Sequence, residues 1–386
     1  MQDLMIITSY YPPEIGAASN RINHLAEGLK NDYKVRVVTP LPNYPTGKVF
    51  KGHRGKFQSK TTENDIEINR LWIFATISKN KFIRLTAMLS YSFSLIWFFL
   101  WNKIPKKVIV QSPPLLVAFT CMLFLRSKKR KLILNVSDLW PSAGLDLGAL
   151  NENLSYMLLK KIEHFNYRKA DLILGQSNEI LTHVRQISNN TELFLYRNYP
   201  DIELPPLKER KSDGPKLQIV YAGLLGVAQG VLKLCQSLDF EKIEFHIYGS
   251  GAEEQQIKNF IAKNKKLPIH FHGKIDRDLL HKVILQYDLS IIPLRHRIYG
   301  SVPSKLFEYA KLGLPMLYFG GGEGEGVVRN YSLGWIADEN DYTDLNSVIK
   351  SIKIKEINLK FKTKIQESAK KHFDFEKQIE ALKQVI

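Results

Sequence analysis

Ser304, Lys305 and Glu308 have the types and the spacing to hold a nucleotide. They lie in Ser301-Val302-Pro303-Ser304-Lys305-Leu306-Phe307-Glu308-Tyr309-Ala310, which opens as a proline-fixed turn and reads onward as a short helix stopping at Gly313, ahead of the apolar run Met316–Phe319. A loop entering a helix offers unpaired N–H groups and the positive end of the helix dipole, and both favour a phosphate. Ser304 and Lys305 would stand at that end, and Glu308 follows about one turn later on nearly the same face. Amides, an ammonium and a carboxylate in this order suit the phosphates and ribose hydroxyls of one nucleotide. The same pattern also describes an amphipathic helix with a solvated Glu–Lys surface. Ahead of it, Arg295 offers a guanidinium, which can engage two phosphate oxygens at once or stand as a surface arginine.

Such residues need a scaffold, and the pattern of strands and helices supplies one. Strand-like runs at Leu4–Thr8, Val35–Thr39, Lys107–Gln111, Lys131–Val136 and Leu172–Gln176 alternate with helical patterns, such as Asn20–Lys30 with Ile22, Leu25, Ala26 and Leu29 at helical spacing. A second alternating series follows at Gln218–Ala222, Glu244–Tyr248, Ile269–His272, Leu289–Pro293 and Pro315–Phe319. Alternation of this kind predicts parallel sheets covered on both faces. A chain of 386 residues is too long for one typical core. The expected division is an N-terminal domain over 1–200, a proline- and charge-rich linker over 201–215, a second domain over 216–370 and a terminal segment over 371–386. The segment Lys360–Ile386 reads as a basic amphipathic helix. Ligands of such sheets bind beyond the carboxyl ends of the strands. Gly16 follows the first strand there, and Gly223, Gly226 and Gly230 follow the first strand of the second series. Each could admit a ligand close to the backbone or simply make a turn.

The charge is uneven. The net charge is +17, yet no acidic residue occurs between Glu67 and Asp138. That window carries Arg70, Lys79, Lys81, Arg84, Lys103, Lys106, Lys107, Arg126, Lys128, Lys129, Arg130 and Lys131 around two apolar runs, Phe82–Trp101 and Leu115–Leu125. Basic residues beside aromatic-rich apolar helices suit an anionic membrane surface. Phe82–Trp101 is long enough to cross a bilayer, which takes ~20 residues. Its Arg84, Thr86, Ser90, Ser92 and Ser94, and the α/β pattern on both sides, favour a helix resting on the membrane over a buried helix or a span. Nucleic acid is not expected as a partner, since no recognition motif accompanies the charge. Cys121 and Cys235 sit in apolar surroundings and suit a reducing compartment. The first apolar run, Leu4–Thr8, is too short for a cleavable leader. No Cys or His spacing suggests a metal cluster. Asp276-Arg277-Asp278 resembles a metal-binding D-x-D, but it follows Gly273 and opens a helical run, so Asp276 is expected as a helix N-cap and no metal is expected.

Six segments occur in an order that resembles family 4 glycosyltransferases. They are Tyr11-Pro12-Pro13-Glu14-Ile15-Gly16-Ala17 leading to Arg21, Asp138-Leu139-Trp140-Pro141, Arg197-Asn198-Tyr199-Pro200-Asp201, Tyr221-Ala222-Gly223 through Gln229-Gly230, Tyr248-Gly249-Ser250-Gly251, and Pro293-Leu294-Arg295 ahead of Val302-Pro303-Ser304-Lys305. The resemblance runs nearly end to end. The versions at 138–141, 228–230 and 302–305 are most similar to bacterial enzymes that build O-antigen and capsule on a lipid carrier, including N-acetylfucosamine transferases.

The resemblance implies a GT-B fold, two Rossmann-like domains with parallel sheets facing each other across a cleft. The terminal helix of that fold commonly crosses back to the first domain. It implies retaining transfer from a nucleotide sugar, expected to be a UDP-sugar with an N-acetylated or deoxy aminosugar such as N-acetylfucosamine. The acceptor would be a saccharide on undecaprenyl pyrophosphate, and the location the cytoplasmic face of the inner membrane, held peripherally or monotopically. No cofactor is expected, the UDP-sugar being a substrate. Donor contacts would come from Glu308, Lys305, Ser304, Arg295, Gly223, Gln229 and Gly249. Asp138, Gly16 and Lys305 would carry the chemistry, with Asp138 orienting or deprotonating the acceptor hydroxyl, unless it only caps a helix or turn. Glu14, Arg21 and Trp140 would contact the acceptor. Two positions depart from the wider family. Its usual Arg and Lys after the strand-end glycine align with Leu224 and Gln229, and its usual first carboxylate aligns with Gly300. Two other readings remain open: a sugar-nucleotide 2-epimerase of the same fold, which would convert a UDP-sugar without an acceptor, and a non-catalytic scaffold of a polysaccharide assembly complex, which would bind no nucleotide.

Overall fold

Short apolar runs become the central strands of two parallel sheets, as their near-continuous hydrophobicity requires. The computed structural model describes residues 1–78, 80–207, 209 and 214–386. It divides into two units: Met1–Asn198 with Tyr299–Ser301 and Glu376–Ile386, and Tyr199–Ile298 with Val302–Phe375. The division falls at Tyr199 because its ring packs edge-on to Phe307, at 5.0 Å, and against Phe373, at 5.5 Å, inside the second unit. Of the expected linker, 201–207, 209 and 214 lack helix or strand, while 208 and 210–213 lie outside the described residues.

The first unit holds β1 (Gln2–Ile7), β2 (Tyr33–Pro40), β3 (Gln58–Glu63), β4 (Ile66–Leu71), β5 (Lys107–Ser112), β6 (Lys131–Val136), β7 (Leu172–Gly175) and β8 (Glu192–Leu195). Their order is β3-β4-β2-β1-β5-β6-β7-β8. All neighbours run parallel except the β3–β4 hairpin. Its turn residues Asn64 and Asp65 both take positive φ, 50° and 64°, as a tight two-residue hairpin turn demands. The second unit holds β9 (Leu217–Ala222), β10 (Ile243–Tyr248), β11 (Ile269–Gly273), β12 (Leu289–Pro293), β13 (Met316–Phe319) and β14 (Gly334–Ile336). Here the order is β11-β10-β9-β12-β13-β14, all parallel. In each sheet the chain starts at a central strand, builds outward to one side, then returns to build the other. The sheets therefore have switch points at β1/β5 and at β9/β12, where a crevice opens beyond the strand ends.

The long apolar run forms the helix Lys81–Trp101, capped by the Asn80 side chain. Tyr91, Leu95 and Phe98 are buried at helical spacing in the core of the first unit. The Tyr91 hydroxyl reaches the carbonyls of Thr8, at 2.9 Å, and Val38, at 3.2 Å. One face of this helix is thus part of the core of the first unit. The other face leaves Phe82, Leu85, Leu89, Phe93, Trp97, Leu100 and Trp101 exposed.

The expected single helix over Lys360–Ile386 is two, Leu359–His372 and Phe375–Val385. Phe373 leaves helical geometry at φ −118° and ψ 39°, and its ring is buried against Tyr199, Phe307 and Tyr331. Beyond that break Gln378 clamps the Arg197 backbone, accepting from its N–H and donating to its carbonyl, both at 2.9 Å.

Candidate active site

In the second unit the candidate residues gather around the ends of β9, β10 and β12. Gly223 follows β9 with φ +154°, and a Cβ there would fall 2.1 Å from the Lys305 ammonium. Gly249 follows β10 with φ +150°, and a Cβ there would fall 1.9 Å from the Gly223 carbonyl oxygen. Both positions demand glycine on backbone and on space. The Lys305 ammonium lies 4.7 Å from the centre of the Tyr221 ring. Burial, opposed by the Glu308 carboxylate, lowers the Lys305 pKa to about 8. The group is still a cation at neutral pH, held in surroundings that favour an arriving anion.

The helix that carries Lys305 spans only Lys305–Lys311 and the Ser304 side chain makes no cap. The amides of Leu306, Phe307 and Glu308 already donate to the Pro303 and Ser304 carbonyls. Attraction for a phosphate therefore rests on the lysine more than on the helix end expected from the sequence. Glu308 accepts from His281, Oε1 to Nε2, at 2.6 Å. His281 lies 27 residues away on the helix Arg277–Ile284, and no spacing pattern pointed to it. Gln229 holds a buried side-chain oxygen with no hydrogen-bond partner among the described residues. It stands where the wider family has a lysine, on a turn closed by Gly230 at φ +64°, and the Arg295 stem packs where a Gly230 Cβ would be. Arg295 itself is exposed.

The first unit holds a second group around the ends of β6, β7 and β8. Arg21 is 2 % exposed, and its Nη2 donates to Asn135 Oδ1 at 2.8 Å and to the Tyr196 carbonyl at 2.9 Å. Burial lowers its pKa to about 10 against the pull of Tyr196 and Asp138. These bonds tie the ends of β6 and β8 together. Asp138 follows β6, and burial raises its pKa to about 6 although Arg21 and a Ser137 hydrogen bond favour the carboxylate. It caps no helix, since the helix Ser142–Asp146 begins after Pro141. A half-buried carboxyl of this kind can take a proton near neutral pH. Trp140 packs over Gly144, where a Cβ would meet its ring at 2.9 Å.

Glu14 is 3 % exposed and its Oε1 accepts from the amides of Asn43, at 2.7 Å, and Tyr44, at 2.8 Å. That oxygen pins the loop at Asn43 and Tyr44. Gly16 has extended backbone, φ 170°, and a Cβ there would meet only Tyr44 at 3.8 Å, so nothing within this unit requires glycine. Gly300 does require it. Its φ is +84°, and a Cβ would fall 2.8 Å from Ile180 Cγ1. Ser177 donates to its carbonyl at 2.7 Å and its amide donates to Glu179 at 2.9 Å. The position that carries a carboxylate in the wider family is here a backbone contact. Asp276 stands as the N-cap of its helix, as expected, without a side-chain cap bond.

Two doubly wound sheets, each with a switch point in its strand order, are the architecture of the GT-B class of glycosyl-transfer folds. The structure superposes on sucrose-phosphate synthase from Thermosynechococcus elongatus with a TM-score of 0.75 at 13% identity, covering 100% of this chain and 98% of that one. Anabaena Alr3699/HepE, solved in complex with UDP and glucose, gives a TM-score of 0.68 at 13% identity, covering 100% and 99%. WaaG, a glycosyltransferase involved in lipopolysaccharide biosynthesis, gives 0.67 at 12% identity, covering 99% of each chain. No curated protein sequence matches the chain. A glycosyl transferase 4-like domain profile matches residues 16–192, and a glycosyl transferases group 1 profile matches residues 208–372. The chain belongs to the group 1 glycosyltransferases of family 4.

Proposed function

We propose that the protein transfers a sugar, with retention of anomeric configuration, from a UDP-sugar to a saccharide carried on a lipid pyrophosphate during assembly of bacterial surface polysaccharide. The observation that carries this reading is the gathering of Gly223, Gln229, Lys305 and the His281–Glu308 pair at one crevice of the second unit. In the transfer the bond from the anomeric carbon to the diphosphate breaks, and a bond to the acceptor oxygen forms. Charge builds on the departing diphosphate, so a fixed cation beside it lowers the barrier. Lys305 supplies that cation, with Arg295 at the rim. Glu308, oriented by His281, accepts from the ribose hydroxyls. Asp138 orients the acceptor hydroxyl and takes its proton. UDP is the preferred nucleotide, supported by a structural relative that carries UDP and glucose. The loss of a sugar-facing carboxylate at Gly300 favours an N-acetylated or deoxy aminosugar such as N-acetylfucosamine. Undecaprenyl pyrophosphate is the lipid carrier we infer.

We further propose that the protein works on the cytoplasmic membrane surface, held by the first unit. The exposed face of the helix Lys81–Trp101 adjoins the helix Leu115–Phe124, with Leu123 and Phe124 exposed, which adjoins Leu154–Lys169, with Leu154, Met157 and Leu158 exposed. Apolar surface on three neighbouring helices exceeds the scatter normal for a soluble protein. Of the basic window, Arg84, Lys103, Lys106, Lys128 and Lys129 are exposed. Arg70, Lys107, Arg126, Arg130 and Lys131 hold internal partners. Lys79 lies outside the described residues. These exposed cations lie at or just beyond the ends of the helices Lys81–Trp101 and Leu115–Phe124, which suits an anionic lipid surface.

The testing experiment is a thermal-shift series with UDP, GDP, dTDP, ADP and CMP, followed by transfer assays with UDP-N-acetyl sugars and a lipid-pyrophosphate acceptor. A ligand that binds the folded state raises the melting temperature by mass action. A rise with UDP and acceptor-dependent release of UDP are expected. Conversion of the UDP-sugar without acceptor would make the enzyme an epimerase, and no response to any nucleotide would make it a scaffold.

A further inference from the structure

At its β10–β11 edge the sheet of the second unit carries a run of partly exposed polar side chains. On β10 the residues Glu244, His246 and Tyr248 alternate with the buried Ile243, Phe245 and Ile247, so they share one face. On the edge strand β11, His270 and His272 do the same, with His270 in register beside His246. Three imidazoles and a carboxylate are thus gathered on one surface. His246 and His270 stack with ring centres 4.6 Å apart. His272 Nε2 lies 3.0 Å from His246 Nδ1, and its ring stacks on Tyr248 at 4.4 Å. Gln218 of β9 donates to Glu244 at 2.9 Å and contacts His246 Nε2 at 2.8 Å. The sequence spacing suggested no metal cluster. The E-x-H of 244–246 and the H-x-H of 270–272 put ligands on one strand face, and only strand pairing brings the two motifs together.

We propose that Glu244, His246 and His270 form a binding site for a first-row transition metal such as Zn2+. Their ligand atoms lie within 4.8 Å of one another. Bonds of ~2.1 Å at tetrahedral angles need ligand atoms about 3.4 Å apart, so small side-chain rotations close the site. Two imidazoles and one carboxylate suit Zn2+, Co2+, Ni2+ or Cu2+ and disfavour Mg2+ and Ca2+, which take oxygen ligands. His246 Nε2, 3.9 Å from Glu244, turns from Gln218 to the metal, and its Nδ1–H then donates to His272. A hydrogen bond at the far nitrogen is the usual means of fixing a ligating imidazole. A metal bound here ties the edge strand to its neighbour and leaves the transfer residues untouched.

The test is titration of the untagged, EDTA-treated full chain with Co2+, read by visible absorption, and with Zn2+, read by calorimetry. One metal per chain is expected, with Co2+ bands displaced by Zn2+ and a Zn2+-dependent rise in melting temperature. Glu244→Gln and His270→Ala should each weaken binding at least tenfold, and His272→Ala less. Melting curves of the metal-free variants establish that they are folded, and exposure of His270 makes its replacement mild. Absence of a Co2+ spectrum, or equal Zn2+ affinity in wild type and the Glu244→Gln/His270→Ala double variant, overturns the site.

Discussion

Replacing Asp138 by asparagine should stabilise the protein at neutral pH while impairing transfer. Burial lifts the Asp138 carboxyl from its ordinary 3.8 to about 6 in the folded chain. At 1.36 kcal/mol per pH unit, carrying the ionised form in the fold costs about 3 kcal/mol. The pull of Arg21 is already inside that balance, and Arg21 keeps its bonds to Asn135 and Tyr196 in the variant. Well below about pH 4 the carboxyl is protonated in folded and unfolded chains alike, and the difference vanishes. Between the two pKa values the folded chain holds the proton more tightly, so wild-type stability falls as pH rises. Above about pH 6 both states are ionised and the deficit is constant. The asparagine amide carries no charge at any pH. Calorimetric melting of wild type and Asp138→Asn from about pH 4.5 to about pH 8 should show a gain in the variant that grows with pH and levels off near neutrality. Transfer by the wild type should fall as pH drops through 6, and the variant should lose ~10²–10⁴-fold in kcat without that inflection. A gain equal at every pH, or a variant less stable at pH 7.5, would refute the reasoning.

Gly223→Ala places a methyl group 2.1 Å from the Lys305 ammonium at φ +154°, so the lysine must move. UDP affinity by calorimetry should fall at least tenfold, about 1.4 kcal/mol, with a lowered melting temperature. Unchanged affinity would remove Lys305 from the phosphate site. Glu308→Ala should weaken UDP binding, and His281→Ala should do so to a lesser degree, because it loosens the carboxylate without deleting it. Equal loss with dUDP and UDP in wild type and Glu308→Ala would argue against ribose recognition. On the first unit, Lys128→Ala/Lys129→Ala should cut binding to anionic vesicles ~30-fold, at about 1 kcal/mol per charge, with no change in melting temperature. Phe93→Ser/Trp97→Ser should do likewise, and undiminished sedimentation in both would dismiss the membrane surface.

Much was legible because it depends on local pattern. Apolar runs at 131–136 and 289–293 had to be strands of parallel sheets, and their observed bounds agree to the residue. Glycines at strand ends, the turn into Lys305, and the helical spacing of Glu308 and Lys305 are likewise written in neighbours along the chain. The hairpin β3–β4 escaped notice because β3, with the sequence Gln58–Glu63, is an exposed polar edge strand, and an edge has no apolar periodicity to show. β14, three residues long, was too short to register.

The amino-acid sequence by itself determined the fold class, the two α/β series and the candidate donor residues, since these follow from periodicity and motif order. The tertiary structure alone decided the roles that depend on distance across the chain. It turned Arg21 and Glu14 inward as framework, supplied His281 to Glu308, and showed that Gly300 is held by backbone contacts that admit no side chain. It divided the basic window between cations with internal partners and cations left to solvent, and it joined two strand motifs into a histidine cluster. Strand pairing and burial set which groups meet and which lose water, and neither quantity can be read from residues that are neighbours only in space.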